Sequence, residues 1–163
     1  MAIIAITLVV AALLVLMWTG RKSVHTELVV PAPPEAVWAV LMDTGSYGDW
    51  NPVLVSAEGA LAEGNGIDYT MRQPDGKESP ISARVTSLVE RQELRQFGGI
   101  RGVLTFDHRY TLEPAPEGTR VTQHEEYRGI GVHFWDASWV EPAYARVNEA
   151  LGERARALAS EAR

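Results

Sequence analysis

Two ionisable side chains, His108 and Glu125, stand on predicted strands where they could exchange a proton. The segment VLTFDHRYTL alternates apolar and polar residues, and His108 falls on its apolar face. Glu125 shares a face with Val121 and Tyr127 in VTQHEEYRG. A carboxylate beside an imidazole can form a charge-assisted pair and act in general acid–base catalysis. The same pattern fits an interior histidine that only makes a hydrogen bond, so an enzyme and a binder both remain open.

Large side chains with polar tips fall on the inner faces of the same strands and of an earlier one. Alternation places Tyr69 and Met71 on one face of IDYTMRQ, and Tyr110 on the face of His108. Core packing with hydroxyls that reach a polar partner explains this pattern, and so does a ligand pocket with a few polar groups. The side chains expected on outer faces are His25, Arg84, Arg109, His124 and Glu126.

Composition and spacing disfavour several other chemistries. The chain has no cysteine, which excludes disulfides, thiolate nucleophiles and zinc–thiolate sites. Its four histidines form no i, i+4 pair, and no predicted helix follows the glycines of GNG or FGGIRG, so neither a metal site nor a phosphate loop is indicated. A net charge of −6 without a basic cluster disfavours nucleic-acid binding. We therefore expect no metal, no cofactor and no nucleic-acid partner.

The elements that position these residues follow from the periodicity of the chain. SVHTELVV predicts a strand, and PEAVWAVLM, after paired prolines, predicts a short helix. About six further strands follow, separated by turns such as PDGK. A slip in the alternation at Leu88 and Val89 predicts a β-bulge. From Trp139 the apolar residues recur every three or four positions, which predicts a helix of roughly 22 residues.

This order of elements predicts an α+β fold. An antiparallel sheet with one apolar face must be covered, and the C-terminal helix is the only predicted element large enough to cover it. We expect a helix-grip fold, in which a curved antiparallel sheet of about six or seven strands surrounds the long helix and leaves a ligand-sized hollow.

Residues 2–18, AIIAITLVVAALLVLMW, carry no charge, and about 18 helical residues at 1.5 Å rise span roughly 27 Å, nearly a bilayer core. Arg21 and Lys22 follow, no basic residue precedes, and no small-residue cleavage site is clear. We predict a transmembrane anchor at 1–20 and a soluble domain at 21–163, which the positive-inside rule places in the cytoplasm of a single-pass membrane protein. A signal peptide and a buried helix are the alternatives.

Three segments carry a family resemblance. VPAPPEAVWAVLMDTGSYGDWNP, GTRVTQHEEYRG and the closing amphipathic helix resemble the START/Bet v 1-like superfamily, also labelled SRPBCC or polyketide cyclase/dehydrase, from Val24 to about Leu158. The resemblance implies two short helices that support the long one, and a cavity for a hydrophobic ligand. The family pattern H-x-E-x-F-x-G begins here with Gln123, which removes an imidazole that could have titrated.

Residues and resemblance together favour a membrane-anchored, non-catalytic binder of a hydrophobic small molecule or lipid, held in the membrane through residues 2–18. One alternative is a polyketide cyclase/dehydratase-like enzyme that uses His108 and Glu125. Another is an interaction module whose hollow is only a packed core. The predicted ligand contacts are Tyr69, Met71, Phe106, His108, Tyr110, Gln123, Glu125, Tyr127 and Trp139.

Overall fold

The computed structural model describes residues 2–161 and has the predicted α+β order of elements. Four α-helices and seven strands follow one another along this part of the chain: α1 Ala2–Thr19, β1 Arg21–Val30, α2 Pro34–Met42, α3 Tyr47–Trp50, β2 Leu54–Gly59, β3 Gly66–Arg72, β4 Glu78–Val89, β5 Glu93–Ile100, β6 Leu104–Ala115, β7 Gly118–Arg128 and α4 Val140–Glu161. Short 3₁₀ turns at Thr44–Ser46 and Ile130–His133 lead into α3 and towards α4.

The seven strands form one curved antiparallel sheet in the order β1-β7-β6-β5-β4-β3-β2, which confirms the helix-grip prediction. Strands β2 to β7 are connected as successive hairpins. Strand β1 forms one edge of the sheet and pairs with β7 along its whole length, from Arg21 opposite Arg128 to Val30 opposite Thr119. In β7 every second residue from Thr119 to Tyr127 is buried, so one face of the strand points to the interior.

The long helix α4 fills the concave side of the sheet with a buried stripe at helical spacing, which includes Val140, Val147 and Leu151. The short helices α2 and α3 close the space beneath it. Pro34 starts α2, where its missing N–H costs nothing. Tyr47 of α3 is buried and donates a hydrogen bond of 2.7 Å to the carbonyl of Leu41, which ties the two short helices together.

Strand β4 departs from regular pairing in two places. The register with β5 shifts between Val85 and Ser87, so the bulge lies before the predicted position at Leu88 and Val89. The last β4–β5 pair in the other direction is Ala83 with Gly98. Beyond it, residues 78–82 pair only with β3 and residues 99–100 pair only with β6. The sheet is therefore open between these two segments.

Helix α1 stands outside the domain and none of its residues is buried, so the buried-helix alternative is wrong. Its 18 residues have a mean hydropathy of 2.7, which is long and apolar enough to cross a membrane. A signal sequence near the N-terminus has the same length and composition, so α1 fits either a membrane span or a signal sequence.

Candidate functional site

Two adjoining cavities lie between the sheet and α4. The larger, of about 940 Å³, is lined mostly by apolar and aromatic side chains, with Phe106, Trp135 and Trp139 among them. It continues through the gap between β4 and β5 to the outer face of β4, where Arg84 and Thr86 line it. The smaller, of about 70 Å³, lies deeper, beneath α4 and beside α3. Glu125 and Tyr144 line both cavities, so the deep polar groups border the larger space.

Glu125 is the acidic side chain at the centre of this hollow and is 3% exposed. The hydroxyls of Tyr127, two residues along β7, and of Tyr144, on α4, both donate hydrogen bonds to its Oε2. Within residues 2–161 its Oε1 has no hydrogen-bond partner, and no basic side chain forms an ion pair with it. A carboxylate so placed can accept a hydrogen bond from a hydroxyl or amine of a ligand in the larger cavity.

His108 lies directly opposite Glu125 in the β6–β7 register, yet the two side chains form no hydrogen bond with each other. Its Nε2 lies 3.2 Å from Oε1 of Gln123, whose own Nε2 donates to Oδ1 of Asn148 at 2.6 Å. Asn148 in turn donates to the hydroxyl of Thr26 at 3.1 Å. Because Gln123 presents its oxygen to the imidazole, His108 Nε2 is the donor. The predicted charge-assisted pair is replaced by a polar chain that joins β6, β7, α4 and β1.

The tyrosines of the hollow are held neutral by their surroundings. Burial, and then the nearby charge of Glu125, raise the pKa of Tyr127 and Tyr144 well above the usual value. Burial raises the pKa of Tyr69 to about 12, although the side-chain amide of Gln96, 2.6 Å from its hydroxyl, partly opposes the shift. Burial likewise raises the pKa of Tyr110. These phenols are therefore protonated at neutral pH and are not bases; the hydroxyls of Tyr127 and Tyr144 donate to Glu125, and that of Tyr69 accepts from Gln96.

All nine side chains predicted as ligand contacts line one or both cavities: Tyr69, Met71, Phe106, His108, Tyr110, Gln123, Glu125, Tyr127 and Trp139. That they contact a ligand stays a prediction. Sequence reasoning missed two polar members of the site, Tyr144 and Asn148. Both lie within the apolar stripe of α4, four residues apart, and a buried asparagine in such a stripe is the signal that could have revealed them.

The outer face of the sheet carries ion pairs instead of a reactive cluster. His25, Arg84, Arg109, His124 and Glu126 lie on it as predicted, at exposed or half-buried positions. Arg95 and Asp107 form a bidentate pair with distances of 2.7 and 2.6 Å. Across residues 2–161 no group of three or more His, Asp or Glu side chains is arranged to hold a metal ion.

Sequence comparison relates most of the chain to one known group. Residues 21–156 match the protein family described as polyketide cyclase/dehydrase and lipid transport. No curated protein sequence matches the chain significantly.

Solved structures of the same fold include TTHA0849 from Thermus thermophilus, with 20% identity and a TM-score of 0.67 over 84% of this chain and 99% of that one. CV1439 from Chromobacterium violaceum has 16% identity and a TM-score of 0.68 over 81% and 96%. Ara h 8.0201 has 17% identity and a TM-score of 0.64 over 84% and 99%. At these identities the likeness concerns the fold alone.

Proposed function

The chain belongs to the polyketide cyclase/dehydrase and lipid transport family, and we propose that it binds a hydrophobic small molecule or lipid in its internal cavity while α1 holds it at a membrane. The observation that carries the proposal is the larger cavity. Its volume of about 940 Å³ is of the size that small-molecule sites need, and more than half of its lining residues are apolar or aromatic.

The polar groups of the site suit recognition better than proton transfer. Glu125 Oε1 is available to accept a hydrogen bond from the polar end of a ligand, while Oε2 is fixed by two phenols. His108 is committed to the polar chain through Gln123 and is packed edge-on against Tyr110, with ring centroids 4.9 Å apart. The imidazole of His108, held by Gln123 and by the ring of Tyr110, therefore contributes rigidity to the site.

The anchoring part of the proposal rests on α1. Its 18 apolar residues reach about 27 Å, close to the thickness of a bilayer core. The basic pair Arg21 and Lys22 at its end favours a cytoplasmic domain. An anchor of this kind keeps the cavity where hydrophobic ligands partition. Alkaline carbonate extraction tests it: we expect the full chain to stay with the membrane. Release of a chain cleaved after α1 would identify a signal sequence instead.

Binding is tested with the full chain in detergent micelles and a fluorescent fatty-acyl probe, anthroyloxy-stearate. Ala83 borders both cavities, so Ala83→Phe places a ring inside the hollow. We expect it to weaken probe binding at least about tenfold, the effect of 1.4 kcal/mol. Ala145→Phe, at an exposed position of α4, is the matched control and should bind like the wild type. Equal binding by both variants would contradict a cavity site.

A second candidate function, a cyclase or dehydratase, is favoured by one observation: His108 and Glu125 face the same small cavity from directly opposed positions. It predicts that a polyketide-type probe incubated with the wild type is recovered lighter by one water, and is recovered unchanged from Glu125→Gln. A binder returns the probe unchanged from both proteins.

A further inference from the structure

The end of α1 is fixed to the domain and is not a loose tether. Nε2 of His133 lies 3.0 Å from the carbonyl oxygen of Leu16, and the N–H of Gly129 donates to the carbonyl of Gly20 at 2.9 Å. A Cβ on Gly20 would lie 2.0 Å from the oxygen of Gly129, so the two segments touch through their backbones. The direction in which α1 leaves therefore determines which end of the domain faces a membrane.

Three apolar side chains are exposed at the end of the domain to which α1 is fixed. Ile100 is 69% exposed, Val103 is 51% exposed and Phe134 is 79% exposed. We call these three residues the apical patch. Val103 accepts a hydrogen bond of 2.7 Å from Gly131, and Phe134 follows the histidine that holds α1, so the patch borders the helix end.

The gap in the sheet opens beside the apical patch. Beyond Ala83 and Gly98 the strands β4 and β5 no longer pair, and the larger cavity is lined there by Ile81, Ser82 and Ile100. The same cavity extends inwards to Glu125. A path lined largely by apolar side chains thus leads from the patch to the polar groups at depth.

We propose that the apical patch lies in the interface of the bilayer that α1 spans, and that the gap between β4 and β5 is the portal through which a ligand passes directly between bilayer and cavity. This inference rests on the proposed anchoring and deepens it. Two observations select a bilayer as the partner. The segments that carry the patch contact the end of the apolar helix α1, through Gly102 beside Met17 and through His133 at the carbonyl of Leu16. The basic side chains of Arg21, Lys22 and Arg101 at this end complement anionic headgroups.

The absence of cysteine allows single cysteines to report on the environment of chosen sites. We would label Val103→Cys and Phe134→Cys with bimane in the full chain, reconstituted in phosphatidylcholine/phosphatidylglycerol vesicles. Glu117→Cys is the control: it is exposed in the β6–β7 turn, at the far end of the 11-residue strand β7, roughly 35 Å away. We expect brominated lipid to quench the first two labels at least about threefold more than the control.

Three results would overturn the inference. If iodide in the water quenches labels at 103 and 134 as strongly as at 117, the patch is not in the bilayer. If those labels are shielded from iodide but untouched by brominated lipid, protein covers the patch. If carbonate extraction releases the unlabelled wild-type chain, the proposed anchoring itself has failed. In the first two cases a chain that stays with the membrane shows that the anchoring stands and only the patch assignment is wrong.

The portal is tested by the rate of loading. Ser82→Trp places a large side chain at the gap, whereas Thr122→Trp places the same side chain on the outer face of β7. With anthroyloxy-stearate in the vesicles, we expect Ser82→Trp to load at least about tenfold more slowly than the wild type and Thr122→Trp. Equal rates for both variants and the wild type would refute the portal. Absence of binding by all three would refute the proposed function instead.

Discussion

Replacement of Gln123 by leucine tests whether the buried polar chain fastens α4 to the sheet. Gln123 is 1% exposed and joins His108 to Asn148. Leucine is of similar size and makes no hydrogen bond. The variant loses the hydrogen bonds to His108 and Asn148 at about 0.5–1.5 kcal/mol each, together with a longer one of 3.5 Å to the carbonyl of Tyr144. It also leaves Oδ1 of Asn148 without a donor, at a cost of about 1–3 kcal/mol. Burial of the apolar leucine side chain offsets part of this loss. We therefore expect the free energy of unfolding of the variant to be about 2–4 kcal/mol lower than that of the wild type.

The assay is thermal unfolding of the full chain in mild detergent, followed by circular dichroism. At about 2–4 °C per kcal/mol, Tm should fall by roughly 4–16 °C. Asn148→Leu and the double variant complete a cycle. With both partners apolar, the double variant should lose at least about 1 kcal/mol less than the sum of the single variants. Additivity within about 0.3 kcal/mol would show that Gln123 and Asn148 do not stabilise the fold as a pair. Thr122→Val, on the outer face, is the control and should change stability by less than about 0.5 kcal/mol.

Three further predictions concern titration and packing. Every tyrosine of the chain has a raised pKa, so the folded protein should show little tyrosinate absorbance at pH 10.5. The unfolded state releases these protons first, so stability is complete below pH 10 and falls above it. Ionisation near pH 10 with intact circular dichroism would contradict this. The hydrogen bonds from Arg95 hold the pKa of Asp107 below its usual value, so Asp107→Asn should lower the free energy of unfolding at pH 7 by about 0.5–1 kcal/mol. That difference should disappear in urea titrations as pH falls below 3.8, and its persistence there would exclude the ion pair as the cause. A Cβ on Gly98 would lie 2.4 Å from the ring of Phe106, so Gly98→Ala should destabilise by about 1–3 kcal/mol. Gly66→Ala meets nothing nearer than 4.0 Å and should unfold like the wild type.

Most of the fold could be predicted because strand alternation and helical periodicity are local properties of the chain. The alternation around His108 and Glu125 placed both side chains in the hollow, where the structure has them. The partners of those side chains could not be predicted in the same way. Whether Glu125 meets an imidazole or a phenol depends on how α4 lies across the sheet, and strand periodicity carries no information on that placement.

The same reason explains the missed members of the site and the misplaced bulge. Tyr144 and Asn148 lie on the inward face of α4, but their partners lie on β7 and β1, and Thr26 is more than a hundred residues from Asn148 in sequence. The bulge in β4 lies between Val85 and Ser87, where pairing with β5 decides which residue is extra. The gap between β4 and β5 is likewise a property of pairing and leaves no mark in the apolar pattern.

Whether the hollow holds a hydrophobic ligand is tested most directly by native mass spectrometry of the full chain, released from detergent after incubation with a membrane lipid extract. We expect a discrete adduct mass on the wild type and on Ala145→Phe, and its loss from Ala83→Phe, whose ring occupies the space between the two cavities. An unliganded mass for all three proteins, with and without the extract, would show that the hollow holds no such ligand.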